Sequence, residues 1–300
     1  MEKIQIGVLT SEPEPMEGLD LTSYYVKSCT GLIDKPASQV YNIISCFCDN
    51  ITARKNPEWV AISEAGKAVR SNRDHRFLWD HICPSVEEYK EELFNLIRET
   101  LKADVTGIHL DCIGFPRSKY CTCQRCKEGW RESGLRWVEW RSKVVGDFVA
   151  HASKIVKGES KSFSVTLLPD PFFGKERYGE DLRRLEKYVD FFLVPIYDLA
   201  YSTTYWLETL AYGFHKQLES PFYIELYAAD PGPKLKNLLA AIVAISDYVN
   251  GITLATHNPD LIQEIQEKLA KDEKYAHYLD KRGCQSMKDI VNRWKVDYGL

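Results

Sequence analysis

Short apolar runs alternate along the chain with longer amphipathic stretches, a pattern typical of βα units around a parallel sheet. Most of the short runs are nearly continuously apolar and rich in β-branched or aromatic residues, as expected for parallel strands covered on both faces. Eight strands are predicted near residues 3–9, 40–47, 58–63, 107–115, 162–168, 190–197, 221–227 and 251–256.

The amphipathic stretches have the period of α-helices. The clearest runs from Ser85 to Ala103, where Ser85 and Glu88 form a capping-box pattern ahead of an apolar stripe. Further stripes lie within 135–156, 181–189, 204–218, 235–249 and 259–269. Eight strands with helices between them predict an α/β fold, a single (β/α)8 TIM barrel domain over residues 1–300 with a C-terminal helical extension at about 271–300.

A doubly wound open sheet is the alternative fold. Such a sheet, when it binds a dinucleotide, carries G-x-G-x-x-G after its first strand. The sequence GVLTSEPEP stands at that point here. The barrel is therefore favoured.

Two carboxylates interrupt apolar strands near the ends where (β/α)8 barrels place their chemistry. Asp111 lies in the fourth predicted strand and Glu225 in the seventh, and a buried carboxylate is costly unless it is paired or used. They form the first predicted catalytic pair. Asp111 with Asp198, which follows the sixth strand, forms the second pair, although a loop or N-cap role explains Asp198 equally well.

Polar and aromatic side chains near the same strand ends are predicted to contact a substrate. They are His109, Tyr197, Asp170, Tyr227, Trp206 and His257. Several have structural alternatives: His109 as a hydrogen-bonded core residue, Asp170 as a turn residue, and the aromatic residues as parts of the core. Aromatic faces beside carboxylates suit a polyhydroxylated ligand. No lysine stands at a predicted strand end, which disfavours a Schiff-base aldolase.

Charge and hydropathy remove other classes of partner. The formal net charge is −4 and no dense Lys/Arg stripe is present, so nucleic acid is not expected as a partner. The apolar runs are far shorter than the roughly 20 residues that span a bilayer, so a membrane is not expected either. The first residues enter a strand-like run rather than a signal peptide, which predicts a cytoplasmic protein. The sequence leaves a homo-oligomer open.

Three of the nine cysteines lie within six residues, at Cys121, Cys123 and Cys126. Thiolates at such short spacing are typical zinc ligands, and zinc prefers four of them in a tetrahedron. Cys83 is the first candidate for the fourth ligand because helix starts and strand ends share one face of a barrel; Cys46 or Cys48 is the second and His81 the third. We expect one tightly bound structural zinc ion in the loop after the fourth strand.

These motifs resemble known families over roughly residues 80–145. A lone cysteine followed some 40 residues later by C-x-C-x-x-C is similar to the structural zinc site of family 42 β-galactosidases, which have a (β/α)8 barrel. The stretch GIHLDCIGFP resembles a strand of uncharacterised glycosyl-hydrolase-like families. The resemblance implies a glycosidase whose strand-seven nucleophile corresponds to Glu225. The chain departs from family 42 at strand four, where His109-Leu110-Asp111 replaces the Asn-Glu pair.

The sequence therefore predicts a glycoside-hydrolase-like enzyme acting on a small-molecule or oligosaccharide substrate, with zinc as a structural cofactor. Two alternatives stay open: a barrel that binds a carbohydrate or metabolite without hydrolysis, and an isomerase or lyase with an Asp or Glu base. For a glycosidase, the carboxyl groups of Asp111 and Glu225 are expected about 5–5.5 Å apart if it is retaining, as the resemblance implies, or about 6.5–9.5 Å apart if it is inverting.

Overall fold

Eight parallel strands close into a barrel in the computed structural model, which describes residues 4–11, 13–73, 76–256 and 258–271. The barrel strands are β1 (Gln5–Thr10), β2 (Leu21–Lys27), β3 (Tyr41–Ser45), β6 (Gly107–Asp111), β7 (Ser162–Thr166), β8 (Phe191–Pro195), β9 (Phe222–Tyr227) and β10 (Gly251–Ala255). Each pairs with its neighbour in this order, and β1 pairs with β10 to close the ring. The predicted fold is confirmed.

Helices cover the outside of the barrel from β3 onward. They are α1 (Asn50–Lys55), α2 (Glu87–Thr100), α3 (Gln124–Ser133), α4 (Trp137–Gly158), α5 (Gly174–Tyr178), α6 (Leu182–Leu185), α7 (Tyr205–Gln217), α8 (Leu235–Ile245) and α9 (Pro259–Lys271). In the described residues, no helix separates β1 from β2 or β2 from β3. The predicted C-terminal extension lies outside the described residues, apart from the end of α9.

The second and third predicted strands need correction. The run at 40–47 forms the third barrel strand, and the second is β2, whose sequence LTSYYVK mixes polar and aromatic residues and lacks a continuous apolar run. The run at 58–63 is outside the barrel. Its end forms β4 (Ile62–Ser63), which pairs antiparallel with β5 (Gly66–Lys67) in the long segment after β3. The numbering of barrel strands four to eight is unchanged.

Lys27 also corrects the expectation that no lysine ends a strand. It closes β2, and its Nζ donates to the Ser45 carbonyl at 2.7 Å and pairs with Asp49 at 3.0 Å. Both side chains of this ion pair are buried. An ammonium group held in this way is a structural cation rather than a free amine for Schiff-base chemistry.

The core has an outer and an inner layer. Outward side chains of the strands, such as Leu110 and Val165, are fully buried beneath the helices. Inside the barrel, a smaller apolar cluster near the amino ends of the strands consists of Leu21, Phe191, Leu193 and Tyr223, with Tyr41 against it. This cluster fills the amino end, and the interior opens toward the carboxyl ends. No helix in the described part of the chain is long and apolar enough to cross a bilayer.

The expected capping box of α2 does not form. The helix begins at Glu87, and its N-cap residue Val86 makes no side-chain cap bond. Ser85 instead lies beside two thiols: its amide donates to Cys83 Sγ at 3.4 Å, and the Cys126 thiol lies 3.5 Å from its hydroxyl. Because Ser85 makes these tertiary contacts, it does not cap α2. The predicted apolar face is buried, with Tyr89, Leu93 and Ile97 inside.

Candidate active site

A cavity of about 690 Å³ opens at the carboxyl ends of the barrel strands. Three acidic side chains from different parts of the fold line it, namely Asp111, Glu180 and Glu225. In the described residues, none of them takes part in an ion pair. The cavity therefore holds three carboxyl groups that, among the described residues, form no ion pair.

Asp111 ends β6 and is held in place by two donors. Tyr25 Oη donates to Oδ2 at 3.0 Å, and the Cys112 amide donates to Oδ1 at 2.8 Å. Burial, with the charge of Cys29, raises the pKa of Asp111 to about 6. Cys112 itself has a left-handed backbone conformation with φ of 53°, which non-glycine residues seldom adopt. The chain turns sharply directly after the carboxylate.

Glu225 lies in β9 and points into the same cavity, where it is only 3% exposed. The Tyr197 hydroxyl, at the mouth of the cavity, donates a short hydrogen bond to Glu225 Oε1. Burial raises the pKa of Glu225 to about 7, and repulsion from Asp111 adds to the rise. The structure thus brings the first predicted pair, Asp111 and Glu225, into one cavity.

Glu180 is a third carboxyl group that the sequence interpretation missed. It stands between α5 and α6, is 3% exposed, and its Oε2 accepts the Leu168 amide at 3.1 Å. Burial, together with the charges of Asp111 and Asp170, raises its pKa to about 8. The sequence RYGED around it is strongly polar, so nothing in the local pattern distinguishes Glu180 from a solvated residue.

His109 lines the lower wall of the cavity, two residues before Asp111. Its Nδ1 lies 2.7 Å from Ser164 Oγ and its Nε2 2.7 Å from Thr166 Oγ1. Burial lowers the pKa of His109 to about 3, so the imidazole is neutral at physiological pH. Both ring nitrogens are engaged by β7. The ring therefore serves as a neutral wall of the cavity and contributes no charge.

The remaining predicted residues lie around the rim or away from the cavity. Asp198 Oδ1 accepts the Ala200 amide at 2.9 Å, and Asp170 accepts the Phe173 amide and pairs with Arg177 at 2.6 Å, so both aspartates shape loops. Tyr227 packs on Tyr197 at 5.9 Å and lines an adjoining cavity beside β1 and β2. Trp206 packs against the main core. His257 lies outside the described residues.

The four cysteines of the predicted zinc site come together beside the barrel. Sγ of Cys83 lies 3.3 Å from that of Cys126 and 3.9 Å from that of Cys123, and all four sulfurs are within 4.8 Å of one another. Cys83, Cys121 and Cys126 are buried. The backbone amides of Ile62 and Ser85 donate to the sulfurs of Cys121 and Cys83. This cluster can hold a metal ion.

Several solved structures similar to this chain are carbohydrate-processing enzymes. One is α-L-fucosidase isoenzyme 2 from Paenibacillus thiaminolyticus, with a TM-score of 0.63 at 12% identity over 92% of this chain and 50% of that one. Another is the glycoside hydrolase domain of PelA from Pseudomonas aeruginosa, with a TM-score of 0.51 at 11% identity over 83% of this chain and 94% of the domain. A chitinase from Chromobacterium violaceum matches with a TM-score of 0.51 at 10% identity over 89% of this chain and 99% of the chitinase.

The protein has a glycoside-hydrolase-like (β/α)8 fold. The chain spans about half the length of the fucosidase it matches. No protein-family model and no curated protein matches the sequence.

Proposed function

We propose that the protein is a glycoside hydrolase that cleaves a sugar or glycoconjugate in the cavity at the barrel mouth. The observation that carries this proposal is the convergence of Asp111 and Glu225 on one cavity at the carboxyl ends of the strands. Two carboxyl groups flanking the scissile bond are what glycoside cleavage requires. The glycoside-hydrolase-like fold supports the same conclusion.

The surroundings of the two groups suggest different roles. Glu225 retains a proton near neutrality because burial raises its pKa to about 7, so it suits the general acid that protonates the leaving group. Asp111 accepts hydrogen bonds from Tyr25 Oη and the Cys112 amide, donors that favour its ionised form. It suits the nucleophile or base. The resemblance to family 42 β-galactosidases instead implies that Glu225 is the nucleophile.

Aromatic side chains around the carboxyl groups support a sugar as the ligand. Phe115, Trp79 and Tyr197 line the same cavity, and Tyr197 is about half exposed at its mouth. Aromatic faces stack on the C–H faces of a pyranose while carboxylates and hydroxyl groups accept and donate its hydrogen bonds. An oligosaccharide or a small glycoside is therefore the proposed substrate.

A panel of aryl glycosides tests the proposal. We expect Asp111→Asn to lower kcat/KM by at least about 10³-fold on every substrate. Glu225→Gln should lower it by about 10²–10⁴-fold for poor leaving groups. The loss should be much smaller for 2,4-dinitrophenyl glycosides, because such a leaving group departs without protonation. The stereochemistry of the first product, followed by NMR, tests the predicted retaining outcome.

Asp198→Asn is the matched control, because Asp198 forms a loop turn beside the cavity and does not line it. We expect its kcat/KM to equal that of the wild type. Full activity of Asp111→Asn together with loss in Asp198→Asn would remove Asp111 from the mechanism and transfer its role to Asp198. If no glycoside is hydrolysed but sugars raise the Tm, the protein is a binding barrel.

We further propose that the ion held by Cys83, Cys121, Cys123 and Cys126 is structural zinc. Four thiolates complete a tetrahedron and leave no position for a reacting water. Elemental analysis of protein purified without added metal should find zinc, and folded protein without zinc would overturn the assignment. None of the eight described cysteines forms a disulfide, which supports the reducing cytoplasm as the compartment.

A further inference from the structure

A second group of three cysteines lies in the wall of the barrel-mouth cavity. Cys29, Cys48 and Cys112 follow β2, β3 and β6, which are consecutive neighbours in the barrel. Their sulfurs lie within 4.8 Å of one another. In sequence they are far apart and carry no metal-binding spacing, so only the closure of the barrel brings them together.

The spacing of these sulfurs matches that of ligands around one ion. Two thiolates about 2.3 Å from a tetrahedral zinc ion lie about 3.8 Å from each other. The Sγ atoms of Cys29 and Cys112 are 3.8 Å apart. In the first cluster, Cys83 and Cys123 have nearly the same separation, 3.9 Å.

The polar neighbours of the three thiols also suit a cation site. Ser45 Oγ donates to Cys29 Sγ at 3.3 Å, and His81 Nδ1 lies 3.5 Å from Cys48 Sγ. Asp111 Oδ2 lies 3.9 Å from Cys29 Sγ. An imidazole and a carboxylate, both able to bind zinc, thus flank the thiols where these line the cavity.

We propose that Cys29, Cys48 and Cys112 form a second metal site, for Zn²⁺ or a similarly thiophilic divalent cation, with its fourth position open to the cavity. The site differs from the four-cysteine cluster in having three thiolates, so a water or a ligand oxygen completes the coordination of the ion. A three-ligand site beside a substrate cavity has the form of a zinc site that contacts its ligand. The proposal does not depend on glycoside hydrolysis.

Zinc stoichiometry of cysteine variants, purified anaerobically with zinc in the growth medium, tests the site. We expect two zinc ions per chain in the wild type, one in Cys112→Ser and one in Cys123→Ser, which disrupts the first cluster. Cys46→Ser is the matched control: Cys46 is fully buried two residues before Cys48 but belongs to neither cluster. It should retain two ions.

Cobalt provides a second measurement that does not depend on copurified zinc. Because the proposed site is open, mild chelation should remove its ion first, and Co²⁺ should then produce thiolate-to-cobalt absorption in the wild type but not in Cys112→Ser. Cys29→Ser replaces Cys112→Ser if circular dichroism shows that the latter is unfolded. Equal zinc content and equal cobalt absorption in wild type and variant would overturn the proposal. So would a Cys29–Cys112 disulfide in the anaerobically purified protein, shown by intact mass.

Discussion

Among single side chains, the carboxyl groups of the cavity are the most informative, because burial has changed their chemistry. Glu180 and Glu225 are each 3% exposed and, in the described part of the chain, take part in no ion pair. A buried carboxyl group in such surroundings keeps its proton to higher pH than a solvated one. Both groups therefore change protonation state close to neutral pH.

Replacing Tyr197 with phenylalanine should shift the pH dependence of turnover. If Glu225 is the general acid, kcat/KM falls as pH rises through its pKa of about 7, because the carboxyl group must be protonated to act. The Tyr197 hydrogen bond lowers that pKa, so Tyr197→Phe should move the alkaline limb to higher pH. A pH–rate profile of kcat/KM measures the shift. An unchanged limb would contradict the assignment of Glu225.

Replacing Glu180 with glutamine should stabilise the protein at alkaline pH. The folded-state pKa of Glu180 is about 8, above its ordinary value of 4.5. Below about pH 4.5 the group is protonated in both the folded and the unfolded protein and costs no stability. As pH rises from about 4.5 to about 8, the folded protein loses stability because only the unfolded state releases this proton. Above pH 8, Glu180→Gln should be more stable than the wild type by on the order of 3–5 kcal/mol. Below pH 4 the two should be equal.

Urea unfolding at a series of pH values measures this difference. Glu132→Gln, which changes an exposed residue of α3, is the control and should match the wild type at every pH. A Glu180→Gln variant that is less stable than the wild type at pH 9 would show that the ionised carboxylate contributes favourable contacts.

At the scale of packing between elements, the buried side chain of Arg141 in α4 connects the loop after β6 to α5. Arg141 is fully buried, and its guanidinium donates to the carbonyls of Arg117, Glu176 and Arg177 at 2.7–2.9 Å. It also lies over the Phe115 ring, 4.6 Å from its centre. These carbonyls belong to the segments that carry Phe115 and Glu180 into the cavity, so Arg141 supports the site from behind.

Arg141→Met should therefore destabilise the fold and loosen the site. Methionine fills similar space but leaves three carbonyl groups without their donor, at a cost of about 2–4 kcal/mol. Chemical unfolding measures the loss, and ligand-free Tm gives a second reading. Arg136→Met is the control, since Arg136 is the N-cap residue of the same helix and its side chain is 85% exposed. Equal stability of the two variants would show that the guanidinium hydrogen bonds contribute little.

For the whole molecule, the first cysteine cluster joins regions that are distant in sequence. It connects the segment before α2 to the loop before α3 and to the first turn of α3, and Ile62 of the β4–β5 hairpin donates its amide to Cys121 Sγ at 3.2 Å. The hairpin segment after β3 also supplies Phe77, Trp79 and His81 to the cavity. The cluster therefore holds together segments that are distant along the chain.

Cys123→Ser should consequently lower stability more than it changes chemistry. A structural zinc ion contributes directly to the free energy of folding, so we expect a fall in Tm of at least about 5 °C. The kcat/KM of the folded variant should stay close to that of the wild type, because the cluster lies outside the cavity. Cys46→Ser controls for loss of a buried thiol. An unchanged Tm with zinc absent would exclude a stabilising role.

Local hydrophobic pattern was sufficient to predict the barrel, because parallel strands buried on both faces must be apolar wherever they occur. It failed at β2, where Ser23 and Tyr25 point toward a polar interior, and at 58–63, an apolar run that packs outside the barrel. The sequence also indicated Asp111 and Glu225, because a charged residue inside an apolar run conflicts with its surroundings.

Glu180 and the group of Cys29, Cys48 and Cys112 had no such local signal. Glu180 stands in a polar segment and becomes buried only when the loop after β7 folds over the cavity. The three cysteines meet only because β2, β3 and β6 are neighbours in the closed barrel. Local sequence indicates which residues are costly to bury, whereas the meeting of residues distant along the chain depends on strand order, which tertiary packing decides.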